Sequence, residues 1–194
     1  GTPDINSTLR VSVTASNSAG SSTPSVSAHT AVVSQAPLTF GKTSVGASSD
    51  TFASERKRVN RYALPTAGSV TKLSVYLTPT ATSGQEVLKG IIYADNAGAP
   101  GALLGVTEQL AFKSTNTAGW YSLVFSSAVK LTASNYWIGV MTGPTASVAG
   151  FRFDSVSGSR AYNANPFTSG PTNPFGAVTT DSEQTSLYAT YTPG

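Results

Sequence analysis

The sequence predicts an all-β protein of antiparallel strands, and three observations predict it. Apolar and polar residues alternate at a period of two in segment after segment, the pattern of strands with one buried face. Turn clusters such as TPTATSG, DNAGAPG and STNTAG separate those segments at fairly regular intervals, as in a sandwich or barrel. No long segment has helical periodicity without Gly and β-branched runs.

Residues 8–33, TLRVSVTASNSAGSSTPSVSAHTAVV, read as two strands joined by a short turn at Asn17–Ser21. The first would place Leu9, Val11, Val13 and Ala15 toward a core. Two strands alone are marginal, so this hairpin needs something to pack on, and SQAP at 34–37 reads as a hinge. From Leu38 to Thr192 the strand pattern continues as one body of roughly ten strands, within the size of one sandwich domain.

In that body ERKRVNR, residues 55–61, is the strongest charge feature. As a strand it puts Arg56, Arg58, Asn60 and Tyr62 on one face and Lys57, Val59 and Arg61 on the other. A solvated edge strand whose charges block sheet-to-sheet association is the preferred reading. Guanidinium groups that donate to sugar hydroxyls or pair with uronate and sulfate are the functional one. In GSVTKLSVYLTP, Leu73, Val75 and Leu77 oppose Lys72, Ser74 and Tyr76. QEVLKGIIYAD is continuously apolar, as a strand buried on both faces would be. GWYSLVFSS sets Tyr121, Leu123 and Phe125 opposite Trp120, Ser122 and Val124, so one of the two sets faces outward or meets a second sheet. In NYWIGVMTG, Trp137 shares its parity with Gly139 and Met141. VAGFRFD and TSLYATYT complete the pattern.

Residues 158–176, GSRAYNANPFTSGPTNPFG, are too rich in Gly and Pro for a helix or a central strand. A loop of this length is functional or disordered more often than not. Tyr162, Asn163 and Asn165 are candidate contacts for a hydroxyl-rich ligand, because loops on a rigid scaffold commonly carry binding residues. Phe167 and Phe175 read as plugs that cap one end of a sandwich.

Composition bounds the function. Charged residues are only 11% of the 194 residues, well under the usual quarter, with Ser, Thr, Gly, Ala, Asn and Pro in their place, a mixture common in secreted bacterial modules. A net charge of +3 is too mild for a nucleic-acid partner, which needs a clustered basic face. With no Cys there is no disulfide framework, and no apolar run approaches the length of about 18 residues that suggests a membrane span. The chain starts at Gly1 without Met and reads as a monomeric piece of a longer one.

Catalysis is tested by subtraction. The lone His29 lies in the N-terminal hairpin, and no G-x-S-x-G elbow occurs. Zinc and most transition-metal sites fail on ligand count, and no phosphate-binding Gly loop opens a helix. A glycosidase needs only two carboxylates, and Asp154, Asp181 and Glu183 flank the long loop, but turn and solvating roles explain them as well. The expectation is no enzyme. Asp95 and Asn96 in YADNAGAPG are candidate ligands for a structural calcium; a turn held by their own side chains accounts for the same residues.

LRVSVTASNSAGSS resembles the last two strands of the immunoglobulin-like and fibronectin-type-III-like repeats of bacterial extracellular enzymes. The remainder, with YADNAGAPGALLG, NYWIGV and the closing SLYATYTP, is similar to jelly-roll modules at the ends of multi-domain secreted bacterial proteins, many of them glycan-active. The resemblance implies an immunoglobulin-like two-strand segment at 1–33 and an antiparallel jelly-roll-type β-sandwich at 38–194. It further implies an extracellular, non-catalytic polysaccharide-binding accessory module, carbohydrate-binding-module-like. A structural or adhesive terminal domain of a surface protein, with no glycan ligand, is the alternative. Tyr162, Asn163, Asn165 and Arg152 are the first candidate contacts, with Trp120 if its face is outward and Arg58 if the polymer is acidic.

Overall fold

The structure, a computed structural model, describes residues 4–194, all β apart from one 3₁₀ turn at Phe167–Ser169. It divides into two compact units, the first ending at Ala36 and the second spanning Pro37–Gly194.

The first unit is an irregular antiparallel hairpin. Strand β1 (Ser12–Val13) pairs with β4 (Ser25–Val26), and β2 (Ser16–Asn17) pairs with β3 (Gly20–Ser21). Three hydroxyls keep it together where its strands fall out of step. The Ala15, Val11 and Leu9 N–H groups donate to Ser22 Oγ at 3.1 Å, Ser27 Oγ at 3.0 Å and Thr30 Oγ1 at 3.0 Å. Each hydroxyl then donates to the carbonyl of the next residue. Four residues on one strand thus oppose five on the other, then two oppose three, which is the arithmetic of successive bulges. Leu9, Val11 and Val13, expected to face a core, are instead exposed at 44%, 64% and 61%. Within this unit the two-stranded hairpin has no second layer to bury them.

The second unit has eleven strands: β5 (Leu38–Gly41), β6 (Ser48–Thr51), β7 (Arg56–Leu64), β8 (Gly68–Pro79), β9 (Gln85–Asn96), β10 (Ala99–Lys113), β11 (Gly119–Leu131), β12 (Ser134–Thr142), β13 (Ala149–Ala164), β14 (Thr179–Thr185) and β15 (Leu187–Pro193). They form one antiparallel ladder, β10-β9-β12-β7-β13-β8-β15-β5, with β11 on β8 and both β6 and β14 on β13. The ladder folds over at β13. Residues 160–164 of that strand pair with β7, and residues 149–151 pair with β8. The result is an antiparallel sandwich. Layer A holds β10, β9, β12, β7 and the C-terminal half of β13; layer B holds β11, β8, β15, β5 and its N-terminal half.

The alternation read from the sequence sets the core. Leu73, Val75, Leu77 and Leu123 of layer B meet Leu88, Ile92, Ile138 and Val140 of layer A, all within one buried cluster. Strands β9 and β12 are buried on both faces, as QEVLKGIIYAD predicts. Ile91, Tyr93, Trp137 and Met141 point away from the sandwich interior into a second cluster with Val59, Ala161 and Phe175. The packing across layer A is close enough that a Cβ on Gly139 would lie 1.9 Å from the Arg58 carbonyl oxygen.

Two expectations are corrected here. Residues 158–164 are not loop but part of β13, with 160–164 paired to β7 and 160–162 also to β14; they contain no Pro, and Gly158 takes its positive φ of 65° where the β14 register slips. Arginine-rich β7 is a central strand, not an edge, since β12 and β13 flank it. The segment from Asn165 to Val178 lies over the outer face of layer A, with Phe175 fully buried.

Phe175→Ala should therefore behave as a core truncation and cost about 3–5 kcal/mol. Urea denaturation of residues 37–194 checks this, and an unchanged midpoint would show that the loop is not part of the core.

Candidate functional site

The loop that caps layer A is tied down by residues proposed above as ligand contacts. Asn163 Nδ2 donates to the Phe175 and Ala177 carbonyls, both at 2.8 Å. Asn165, almost wholly buried, donates to the Pro166 and Gly170 carbonyls and accepts from the Thr172 N–H. Beneath the loop, fully buried Lys57 donates to Thr172 Oγ1 at 2.5 Å and to the Phe175 carbonyl at 2.8 Å. Its ammonium lies 4.4 Å from the Phe175 ring centroid. Burial pulls its pKa down to about 8. These amides and this lysine hold the cap shut, and all their donor bonds named here go to atoms of the loop, while the Asn163 Oδ1 is buried without a partner.

Arg58 is buried too, donating to the Ala53 carbonyl and Thr142 Oγ1 over the Phe52 ring. Burial, and then the neighbouring Arg160 and Arg56 charges, lower its pKa to about 10. Arg160 pairs with Asp181 and Glu183. Tyr162, half-buried on β13, lies between the Arg56 and Arg160 guanidiniums, at 5.4 and 5.6 Å from its ring centroid. Asn60, alongside, satisfies the Ser159 and Glu183 carbonyls and the Thr185 N–H. Of the charges that looked like edge protection, Arg58 is thus housed on the inner side of layer A, over an aromatic ring and against carbonyls, and Lys57 on its outer side beneath the loop.

The acidic candidates are engaged as well. Asp95 accepts from Arg61 Nε at 2.7 Å, Arg61 Nη2 at 2.9 Å and Trp137 Nε1 at 2.8 Å, and closes its own turn by accepting from the Gly98 N–H. Arg61 above all, with the indole N–H and the Gly98 N–H, holds its carboxyl below the usual range. A guanidinium already stands where a calcium ion would sit, and the Asn96 side chain is exposed; the geometry is that of the braced turn. Asp154 pairs with Lys42 and accepts from the Ala47 N–H. Arg152 donates to the Gly46 and Ala47 carbonyls and so pins the same loop.

Glu86 has a different character. It is fully buried on β9 and accepts from the Val148 and Ala149 N–H groups at 3.1 and 2.9 Å, while its second oxygen has no partner. Burial raises its pKa to about 7, against the pull of those N–H donors and of Arg58.

One grouping remains on open surface. Trp120 of β11 is directly opposite Tyr76 of β8 in the ladder, while Leu77, Val75 and Leu123 on the other parity are in the core. Tyr188 of β15 is opposite Ser74. The three rings meet on the outer face of layer B, centroids 5.5 Å apart for Tyr76–Trp120 and 5.0 Å for Trp120–Tyr188, each half-buried. The Trp120 indole N–H and the two phenol hydroxyls make no hydrogen bond among the described residues, whereas those of Tyr93, Tyr121 and Tyr136 each donate to a carbonyl. Strands β5, β8, β11 and β15 contain no Asp or Glu, and Lys72 stands in the next row. An aromatic ridge with idle donors and no negative charge can stack on the apolar face of a sugar ring and donate to its hydroxyls. Of its members only Trp120 was singled out from sequence. The signal for the others was an aromatic at a polar-parity position, as Tyr76 is beside Lys72 and Ser74.

No protein-family model matches the chain, and no curated protein matches it.

The Glu86 geometry sets a pH dependence. Its folded-state pKa lies above the ordinary value of 4.5, so between about pH 7 and 4.5 the folded state holds a proton that the unfolded state has lost. Stability should rise by about 2 kcal/mol as pH falls through that window. Glu183, also raised by burial, acts in the same direction. Asp95 and Asp154, both lowered, keep their contributions until the pH drops below the ordinary Asp value of 3.8. Urea midpoints should be higher at pH 5 than at pH 7 in wild type, and that difference should shrink in Glu86→Gln to the part Glu183 contributes; a midpoint that falls on acidification in wild type would contradict this.

Proposed function

We propose that the chain is a non-catalytic polysaccharide-binding module, an accessory part of a secreted bacterial glycan-active enzyme. The observation that carries this reading is the outward Tyr76–Trp120–Tyr188 cluster with its unengaged polar tips. Three large half-buried rings at neighbouring positions of a solvent face do nothing for the core, which is complete without them. They offer contact area with few rotatable bonds to freeze. A face without carboxylates suits a neutral or weakly acidic glycan. The engagement of Asp154, Asp181 and Glu183 with Lys42 and Arg160 favours binding over hydrolysis, because a glycosidase needs carboxyl groups free to act on the sugar. The jelly-roll resemblance, the low charge and the extracellular setting it implies belong to the same reading.

A structural or adhesive terminal domain is the second reading. It is favoured by the loop over layer A, which is packed by Phe175 and braced by Asn163 and Asn165 and so presents no ligand contacts of its own.

Native affinity electrophoresis against soluble β-glucan, xylan, mannan, pectin and alginate separates the two. Retardation by one class should be lost in Trp120→Ala, a change of about 2 kcal/mol or more in binding at a central aromatic contact, with the thermal midpoint little altered. Tyr162→Ala should leave retardation intact. Absence of retardation by every polymer would favour the structural reading.

A further inference from the structure

Resting on the reading of the ridge as a glycan site, we infer that it takes individual solvated polysaccharide chains and not the flat face of a crystalline polymer. The argument is geometric. The Tyr76 and Trp120 ring planes are inclined at 81°, and those of Trp120 and Tyr188 at 62°. In each pair the edge of one ring meets the face of its neighbour. A crystalline face presents its sugar rings in one plane, and stacking on it requires protein rings parallel to that plane. With these inclinations, Trp120 cannot lie flat against it together with either tyrosine. A single chain turns about its glycosidic linkages, so successive sugars can meet rings that look in different directions.

The ladder register accounts for the inclination. Trp120 and Tyr76 face each other directly, but Tyr188 sits one row along, beside Ser74. The indole spans that diagonal, its ring centroid 5.5 Å from that of Tyr76 and 5.0 Å from that of Tyr188. Sheet twist rotates each strand against the next, so side chains on three successive strands diverge unless packing forces them parallel. Two of the rings are flanked in sequence by core residues: Leu77 and Val75 beside Tyr76, and Leu187 and Ala189 beside Tyr188. Turning Trp120 into the plane of either tyrosine would give up its edge-to-face contact with that ring. The donors fit the same ligand. An indole N–H, two phenols and Lys72 point to hydroxyl or carboxylate groups spread around a chain, not to the two-dimensional lattice of a crystal face.

The test compares one polymer in two states of order. Depletion binding of the intact chain would be measured on microcrystalline and on acid-swollen amorphous cellulose, and likewise on crystalline and amorphous chitin. The soluble polymers are run in parallel by affinity electrophoresis. Wild type should bind a soluble or amorphous form at least tenfold more tightly than any crystalline one. Tyr76→Ala, Trp120→Ala and Tyr188→Ala should each weaken that binding several-fold, since each ring meets its own part of the chain. Equal or tighter binding to a crystalline form that is still lost in Trp120→Ala would overturn the single-chain inference and leave the ridge as a glycan site. Binding to no form, or binding that survives Trp120→Ala in a folded protein, would remove the ridge reading and this inference with it.

Discussion

The constraint on which the second unit depends is that β9 and β12 are apolar on both faces. Ile92 and Ile138 fill the space between the layers, while Ile91, Tyr93, Trp137 and Met141 point the other way. Layer B covers only one of these surfaces. The other would expose aromatic and aliphatic side chains across the middle of a sheet, and burial of each is worth roughly 1.5–3 kcal/mol. The Asn165–Val178 segment covers it, with Phe175 as its wedge. A segment rich in Pro and Gly suits that task, because a cover that added another regular strand stack would need a third sheet. Its backbone groups must still find partners. Asn163, Asn165, Tyr93 and Lys57 supply them from the sheet and from the loop itself.

That division of labour decides where polar residues went. Lys57, Arg58, Arg160, Asn60 and Glu86 are all buried. They are bearable inside because guanidinium and ammonium groups rest against rings and carbonyls, and because Arg160 faces two carboxylates. The sequence is poor in charge to begin with, and with these charges inside, strands β5, β8, β11 and β15 of layer B carry no carboxylate and only Lys72 and Lys130.

Much of this was legible in the sequence because period-two patterns report burial directly. The parities of Leu73, Val75 and Leu77, of Leu123 and Phe125, and the two-sided burial of QEVLKGIIYAD all follow from side chains alternating across a strand. Plugging by Phe175 followed from composition. What alternation cannot report is which strand lies beside which. The β7 strand reads as an edge because a run of Arg and Lys is costly to bury, and only the carbonyls of Ala53 and Phe175 and the rings of Phe52 and Phe175, supplied from other parts of the chain, make the centre of a sheet tolerable for it. Residues 158–164 read as loop because the Pro and Gly that follow dominate the composition of the window. The ridge escaped for the same reason. Tyr76 and Trp120 are 44 positions apart, and Tyr188 is 68 beyond Trp120, so nothing local brings them together; the ladder register does. The hairpin failed differently. Its alternation was genuine, but alternation names a face that needs burying and does not supply the surface that buries it.

The location of the ridge follows from the same constraint. The loop covers the apolar middle of layer A's outer face, so the exposed aromatic cluster falls to the outside of layer B. There the backbone positions are held rigidly. Tyr76 stands between Val75 and Leu77, and Tyr188 between Leu187 and Ala189, all of them at or below 1% exposure. Side chains mounted on an immobile core have already lost most of the freedom that ligand binding would otherwise remove, so more of the stacking energy appears as affinity. Three half-buried rings nevertheless offer a small contact, and a site of this size gains strength chiefly when several copies or neighbouring modules engage one polymer. On the proposed glycan-binding reading, a shallow ridge of three uncharged rings suits tethering by repetition, since several weak contacts along one polymer hold it more strongly than any one of them.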